Sequence, residues 1–275
     1  MFGQAERVIE LKRLKSESDI NSDVKTFAFT SGKGGTGKTF LSLNIGYALS
    51  LHFKVLIIDL DPNLSNANIM INEIPKKTIY NFYSGQNLLE ELITEYTPNL
   101  HFIFGDSGKL EYGKKRYGST DQLFNQIKKL QHKYDFILFD TGSGAGDEII
   151  SILKKSDVNI IVTSPEPTAV MDAYVMIKLL NGNNYSGKKA ILINKCSDEE
   201  EGQTTFKNLE LAVSHFLNEK LFLLGMINSD KSVTQSIIAQ NLLLKNSPSS
   251  NAAKQIFKIS DQINEFAHVA NILQI

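Results

Sequence analysis

The sequence predicts a three-layer α/β fold, a doubly wound and mostly parallel sheet with helices on both faces. Three observations lead there. Apolar runs of strand length alternate with helical patterns from residue 26 onward, and such alternation builds parallel sheets through right-handed crossovers. Runs such as FILF (136–139) and NIIVT (159–163) are almost wholly apolar, as befits strands covered on both faces. The chemically distinctive motifs all fall at the carboxyl ends of these strands, where doubly wound sheets bind ligands.

The chain opens on a helical pattern over Gln4–Leu14, with Ala5, Val8, Ile9 and Leu11 roughly on one face. The polar stretch Ser16–Asp23 reads as a linker. Residues 1–24 are therefore an appendage, and residues 25–275 the domain proper. Strands are expected at Thr26–Thr30, Val55–Asp59, His101–Phe104, Phe136–Asp140, Val158–Thr163, Ala190–Asn194 and Phe222–Ile227. Helices are expected at Phe40–Leu51, Asp121–Tyr134, Thr168–Leu180, Phe206–Leu217 and Ser232–Gln240. Between about 250 and 275, Ala252, Ile256, Ile259, Ile263, Phe266, Ala270 and Leu273 recur at spacings of four and three, an amphipathic helical seam. Two readings of that seam stay open: a terminal helix packed on the sheet, or a reversible membrane anchor. An anchor would want flanking Lys and Arg, and after Lys258 there is none.

Composition narrows the function. A chain of 275 residues fits one large α/β domain or two small ones, and its net charge of −1 gives no reason to expect nucleic acid as the main partner. The single Cys196 excludes a disulfide framework and a cysteine-ligated cluster. No apolar run approaches the roughly 18 residues that cross a bilayer, and the N-terminus mixes charge with apolar residues unlike a signal peptide. A cytoplasmic protein is the expectation.

The chemistry begins at GKGGTGKT, Gly32 to Thr39, directly after the first strand. The frame G-x-x-x-x-G-K-T is a phosphate-binding loop. Gly32, Gly34, Gly35, Thr36 and Gly37 supply a tight turn whose N–H groups face phosphate oxygens. Lys38 reaches the β- and γ-phosphates, and the Thr39 hydroxyl holds Mg²⁺. The extra Lys33 marks a particular branch of such loops. Asp59 and Asp61 close the second strand on one face; Asp59 is expected to support the Mg²⁺ shell and Asp61 to position the attacking water. Asp140 ends the strand Phe136–Phe139 as the further magnesium partner, and Gly142 brings a backbone N–H to the γ-phosphate. Asn194, closing a later strand, offers donor and acceptor to an adenine edge. Residues 226–230 are the expected opposite wall of the base pocket.

Taken together, GKGGTGKT, DLDPNLSNANIMI (59–71), DTGSGAGD (140–147) and TSPEPTAVMDAY (163–174) resemble the MinD/ParA family of deviant Walker-A ATPases. Within it the chain is most similar to the flagellar-number regulators, the FlhG group also called FleN or YlxH. The stretch Gln4-Ala5-Glu6-Arg7-Val8 resembles that group's N-terminal motif, with Gly3, Val8 and Ile9 departing from it. Pro62-Asn63 likewise departs from the usual apolar-Gly pair. The resemblance implies an ATP/ADP cycle with Mg²⁺. ATP drives homodimerisation, Lys33 contacts the partner subunit's phosphates, and slow, partner-stimulated hydrolysis releases the dimer. It also implies an FlhF-type GTPase as partner, reached through Gln4 and Ala5. Flagellar basal-body proteins or a transcription regulator are further expected partners, with reversible membrane contact through the C-terminal helix. The alternatives within the family are cell-division (MinD) and chromosome- or plasmid-partitioning (ParA-like) positioning ATPases.

Overall fold

The computed structural model describes residues 26–61, 65–106, 119–185 and 187–272. The N-terminal appendage and Pro62-Asn63 lie outside them. Eight strands form one sheet: β1 (Thr26–Ser31), β2 (Val55–Leu60), β3 (Thr94–Thr97), β4 (Leu100–Ile103), β5 (Phe136–Ser143), β6 (Val158–Thr163), β7 (Lys188–Cys196) and β8 (Phe222–Asn228). Their spatial order is β3-β4-β2-β5-β1-β6-β7-β8. All pair in parallel except β3, which runs antiparallel to β4 at the edge. β1 lies between β5 and β6, so the strand order reverses beside it and a crevice opens where the phosphate loop leaves the sheet.

The main helices are α1 (Lys38–Ser50), α2 (Ser119–Leu130), α3 (Asp147–Lys155), α4 (Pro167–Gly182), α5 (Glu199–Leu217), α6 (Lys231–Ile238) and α7 (Asn251–Ile272). Strand side chains alternate between two cores, which is the physical content of a three-layer fold. Phe27, Phe29, Ile57, Leu138 and Ile160 pack beneath α1 and α7, while Ala28, Ile58, Ile137 and Ile161 pack beneath α2 to α5.

The seven strands and five helices expected between residues 26 and 240 are present, most with shifted ends. Besides short helical turns such as Ala67–Met70, Ile79–Tyr83 and Leu243–Asn246, a strand and a longer helix were not anticipated. β3 reads TEYT, too short and polar to stand out; it pairs with β4, and Tyr96 packs edge-on against Phe102 while its hydroxyl accepts from Lys245. α3 follows the glycine-rich turn so closely that DEII looks like part of the motif, yet Ile149, Ile150, Ile152 and Leu153 form its buried stripe. α5 also starts seven residues before the expected Phe206. Its cap explains this: the Asp198 side chain accepts from the Glu201 N–H at 2.8 Å, and the Glu201 carboxylate accepts from the Ser197 N–H at 2.6 Å.

α7 decides the C-terminal question as far as its described side chains reach. Its seam faces inward: Ala252, Ile256, Ile259, Ile263 and Phe266 are all buried, packed against α1 and β8. A membrane-bound form would first have to strip this seam from the core. Among the described residues no helix is long and apolar enough to cross a membrane. Because Ile256 is fully buried, Ile256→Ala should cost about 2–5 kcal/mol and lower the midpoint of thermal denaturation by roughly 5–15 °C. An unchanged midpoint would mean that α7 is not part of the core.

Candidate functional site

The carboxyl ends of β1, β2, β5 and β7 converge on the phosphate loop. The loop keeps its shape through bonds from both sides. Ser31 Oγ donates to the Lys33 carbonyl at 2.7 Å, and Lys195 Nζ donates to the Gly35 carbonyl at 2.7 Å. The Asn194 side-chain amide donates to the Thr36 carbonyl at 2.8 Å, although 158 residues separate the two. Asn194 is therefore placed at the loop, with one N–H of its side-chain amide engaged there.

Gly37 shows why this position must lack a Cβ. Its φ is +95°, and an added Cβ would lie 2.4 Å from the Asn194 amide nitrogen. Gly37→Ala combines backbone strain of about 1–3 kcal/mol with loss of the Asn194–Thr36 bond, worth about 1 kcal/mol. The expected result is a lower denaturation midpoint together with at least tenfold weaker binding of a fluorescent ATP analogue. Wild-type affinity in that variant would remove Gly37 from the phosphate cradle.

The acidic half of the site is set by strand register. β2 and β5 pair so that Asp59 lies directly opposite Asp140, both of them buried. Asp59 is held from below: Ser65 Oγ donates to Oδ2 at 2.6 Å and the Asp61 N–H to Oδ1 at 3.0 Å. Neither oxygen of Asp140 completes a hydrogen bond, though Thr39 and Lys38 lie close enough to favour its ionised form. Burial pushes both carboxyls above the ordinary range, and each is raised further by a neighbouring carboxylate, Asp61 beside Asp59, and Asp59 then Asp61 beside Asp140. The Thr36 hydroxyl is also buried without a partner. Orphaned buried oxygens cost free energy unless something completes them, and a divalent cation carried by a phosphate chain does so. The residues fit Mg²⁺ and a nucleotide. Asp140 and the Thr39 hydroxyl are placed to hold the cation, while Asp59, already bonded to Ser65, sits beside them as support.

Lys33 leaves the loop in the other direction. Its Nζ lies 2.6 Å from a Glu166 carboxylate oxygen and 3.1 Å from Thr168 Oγ1, both at the start of α4. That contact, 133 residues apart in sequence, holds Glu166 below the usual carboxylate range. Gly142 falls inside β5 and is buried, and Ser143 beside it closes against Gly34. Asp61 stands at the mouth of the site before the residues left undescribed. In the expected base wall, Asn228 is held by Gln255 of α7, and Asp230 accepts from the N–H groups of Ser232 and Ala252. Asp230 thereby caps α6 and ties it to the start of α7. Gln4 and Ala5 lie outside the described residues.

Sequence reasoning missed Ser65, Glu166, Thr168 and Lys195 as parts of the site. Lys195 sits beside Asn194, and its φ of +63° marks the turn that returns its ammonium to the loop. Ser65 is six residues from the carboxylate it serves, a spacing with no signal until the chain is folded.

With this geometry in place, comparison with known proteins adds the following. Residues 24–193 match the AAA domain family model AAA_31. The chain is 32% identical to the flagellum site-determining protein YlxH of Helicobacter pylori, over 94% of this chain and 90% of that protein. It is 27% identical to the antiactivator FleN of Pseudomonas aeruginosa, over 90% and 89% respectively. Among solved structures, the septum site-determining protein MinD of Pyrococcus horikoshii, complexed with Mg-ADP, superposes with a TM-score of 0.74. It covers 90% of this chain and 98% of its own at 22% identity, which supports the fold alone.

Proposed function

The chain belongs to the MinD/ParA family of AAA-domain proteins, alongside YlxH and FleN, and from that premise we propose that it is an ATP-dependent dimerising switch regulating the number or placement of flagella. The observation supporting the switch is the division of labour between two lysines of one loop. Lys38 is buried beside Asp140, while Lys33 is turned outward onto Glu166 and Thr168. A lysine on that outer wall is available to a second subunit.

On this reading the loop N–H groups and Lys38 bind the phosphate chain, and Thr39 with Asp140 hold Mg²⁺, which offsets phosphate charge. Asp61 orients the attacking water, and Gly142 senses the γ-phosphate through its N–H. Asn194 and the 226–230 turn border the base. Hydrolysis is slow in isolation and faster in a dimer or with a partner. The flagellar assignment rests on the relatives that nearly the whole chain matches, one named for flagellum site determination and one an antiactivator.

The partner-facing arm is residues 1–24, with Gln4 and Ala5 presented to an FlhF-type GTPase. The test is a pull-down and GTPase assay with that enzyme. Deleting residues 1–20 should leave ATP turnover within about twofold and abolish GTPase stimulation. Stimulation equal to that of the full chain would refute the arm.

A further inference from the structure

α4 and α5 leave an apolar groove on the outer face, about 530 Å³ in volume. Pro167, Met171, Tyr174, Leu209, Ala212 and Phe216 line it. Met171 is 60% exposed and Phe216 70%, with Tyr174 and Phe216 stacked edge-on at 6.3 Å. An open apolar trough between two helices is the form that receives an amphipathic helix. Its upper end is tied to the phosphate loop. Glu166 and Thr168 of the first turn of α4 hold Lys33, and the Asp172 carbonyl packs so closely on Gly32 that an added Cβ would lie 2.4 Å away.

We propose that, without bound nucleotide, this groove seats the chain's own N-terminal segment, Gln4–Leu14, and releases it when Lys33 leaves Glu166. Entry geometry supports this occupant. The Thr26 N–H and hydroxyl both bond Asp157, and Asp157 is bonded in turn by Tyr185, three residues past the end of α4. The chain thus enters the fold at the foot of α4. The eight-residue stretch Ser16–Asp23 reaches up to about 27 Å when extended, comparable to the roughly 24 Å length of the sixteen-residue α4. An eleven-residue helix of about 16 Å then fits alongside it. Charge agrees as well: residues 1–15 contain four basic side chains against two acidic ones, whereas α5 bears four glutamates against one lysine.

The consequence is an arm hidden in the resting chain and presented in the ATP-bound dimer. That consequence rests on the switch proposed above; the seating itself does not. The test uses the full chain with Val8→Cys and Ala212→Cys, oxidised mildly, against Val8→Cys with Ile74→Cys. Ile74 is 92% exposed and lies outside the groove, and the native Cys196 is buried with its thiol raised to about 11. The expected result is a disulfide within one chain, at least fivefold above the control pair, falling at least fivefold with a non-hydrolysable ATP analogue. Yield equal to the control, a disulfide between two chains, or a yield indifferent to the analogue would each overturn the proposal. Size-exclusion chromatography of the same sample reports whether the analogue formed a dimer. A missing dimer indicts the switch, and an undiminished disulfide within a formed dimer indicts the groove.

Discussion

Lys33→Ala is expected to bind ATP with near-normal affinity and to show no ATP-dependent dimer by light scattering at concentrations where the wild type is mostly dimeric. The Lys33 side chain makes no bond within its own loop; its ammonium contacts Glu166 and Thr168 at the start of α4. The bonds that shape the loop come from Ser31, Asn194 and Lys195, and Ser31 reaches the Lys33 backbone carbonyl, which alanine keeps. The exposed ion pair with Glu166 is screened by solvent and adds little to folding. So loop and fold survive the substitution. What disappears is the cation proposed to reach a second subunit's phosphates, where an opposing charge in a water-poor interface matters far more than on an open surface. A dimer that still forms with ATP would place the trans contact on another residue, with Lys195 the next cation at the loop.

The same contact shows where the sequence was informative and where it was not. The strands were legible because apolar runs of strand length stand out between polar stretches, although β2, β5 and β7 run on past Asp59, Asp140 and Asn194 to Leu60, Ser143 and Cys196. The phosphate loop was legible because its chemistry is local. What lay hidden was everything that couples distant stretches. The pairing of Asp59 with Asp140 is a consequence of β2–β5 register, and no spacing in the chain encodes register directly. The engagement of Asn194 with Thr36 redirected a residue expected to serve the base alone. The seam of α7 was visible as a seam, but its partner was not. Burial against α1 and β8 places its described part, Ala252 to Phe266, in the core, which periodicity alone could not distinguish from a membrane-facing stripe. β3 was invisible for the opposite reason, since a polar edge strand has too little pattern of its own to announce it.

Asp61→Ala is expected to give a nucleotide-bound dimer that turns over 10² to 10⁴ times more slowly, the span about which a positioned acid–base group accounts for. Binding should survive for an electrostatic reason. Asp61 raises the protonation tendency of both Asp59 and Asp140 by charge repulsion, so its removal makes the buried pair easier to ionise and Mg²⁺ easier to hold. The support it gives Asp59 comes from its backbone N–H, which alanine retains. Lost is the Asp61 carboxylate, the group proposed to orient the attacking water. Two readouts separate this role from a structural one. Phosphate release should collapse while nucleotide affinity holds or tightens, and the dimer should persist after ATP is withdrawn. Asp61→Asn keeps the shape and loses the charge, so it should behave like alanine if the carboxylate does the positioning. A variant that releases phosphate at the wild-type rate removes Asp61 from the reaction. The water must then be oriented by backbone groups of the β5 turn, where Gly142 is the nearest candidate.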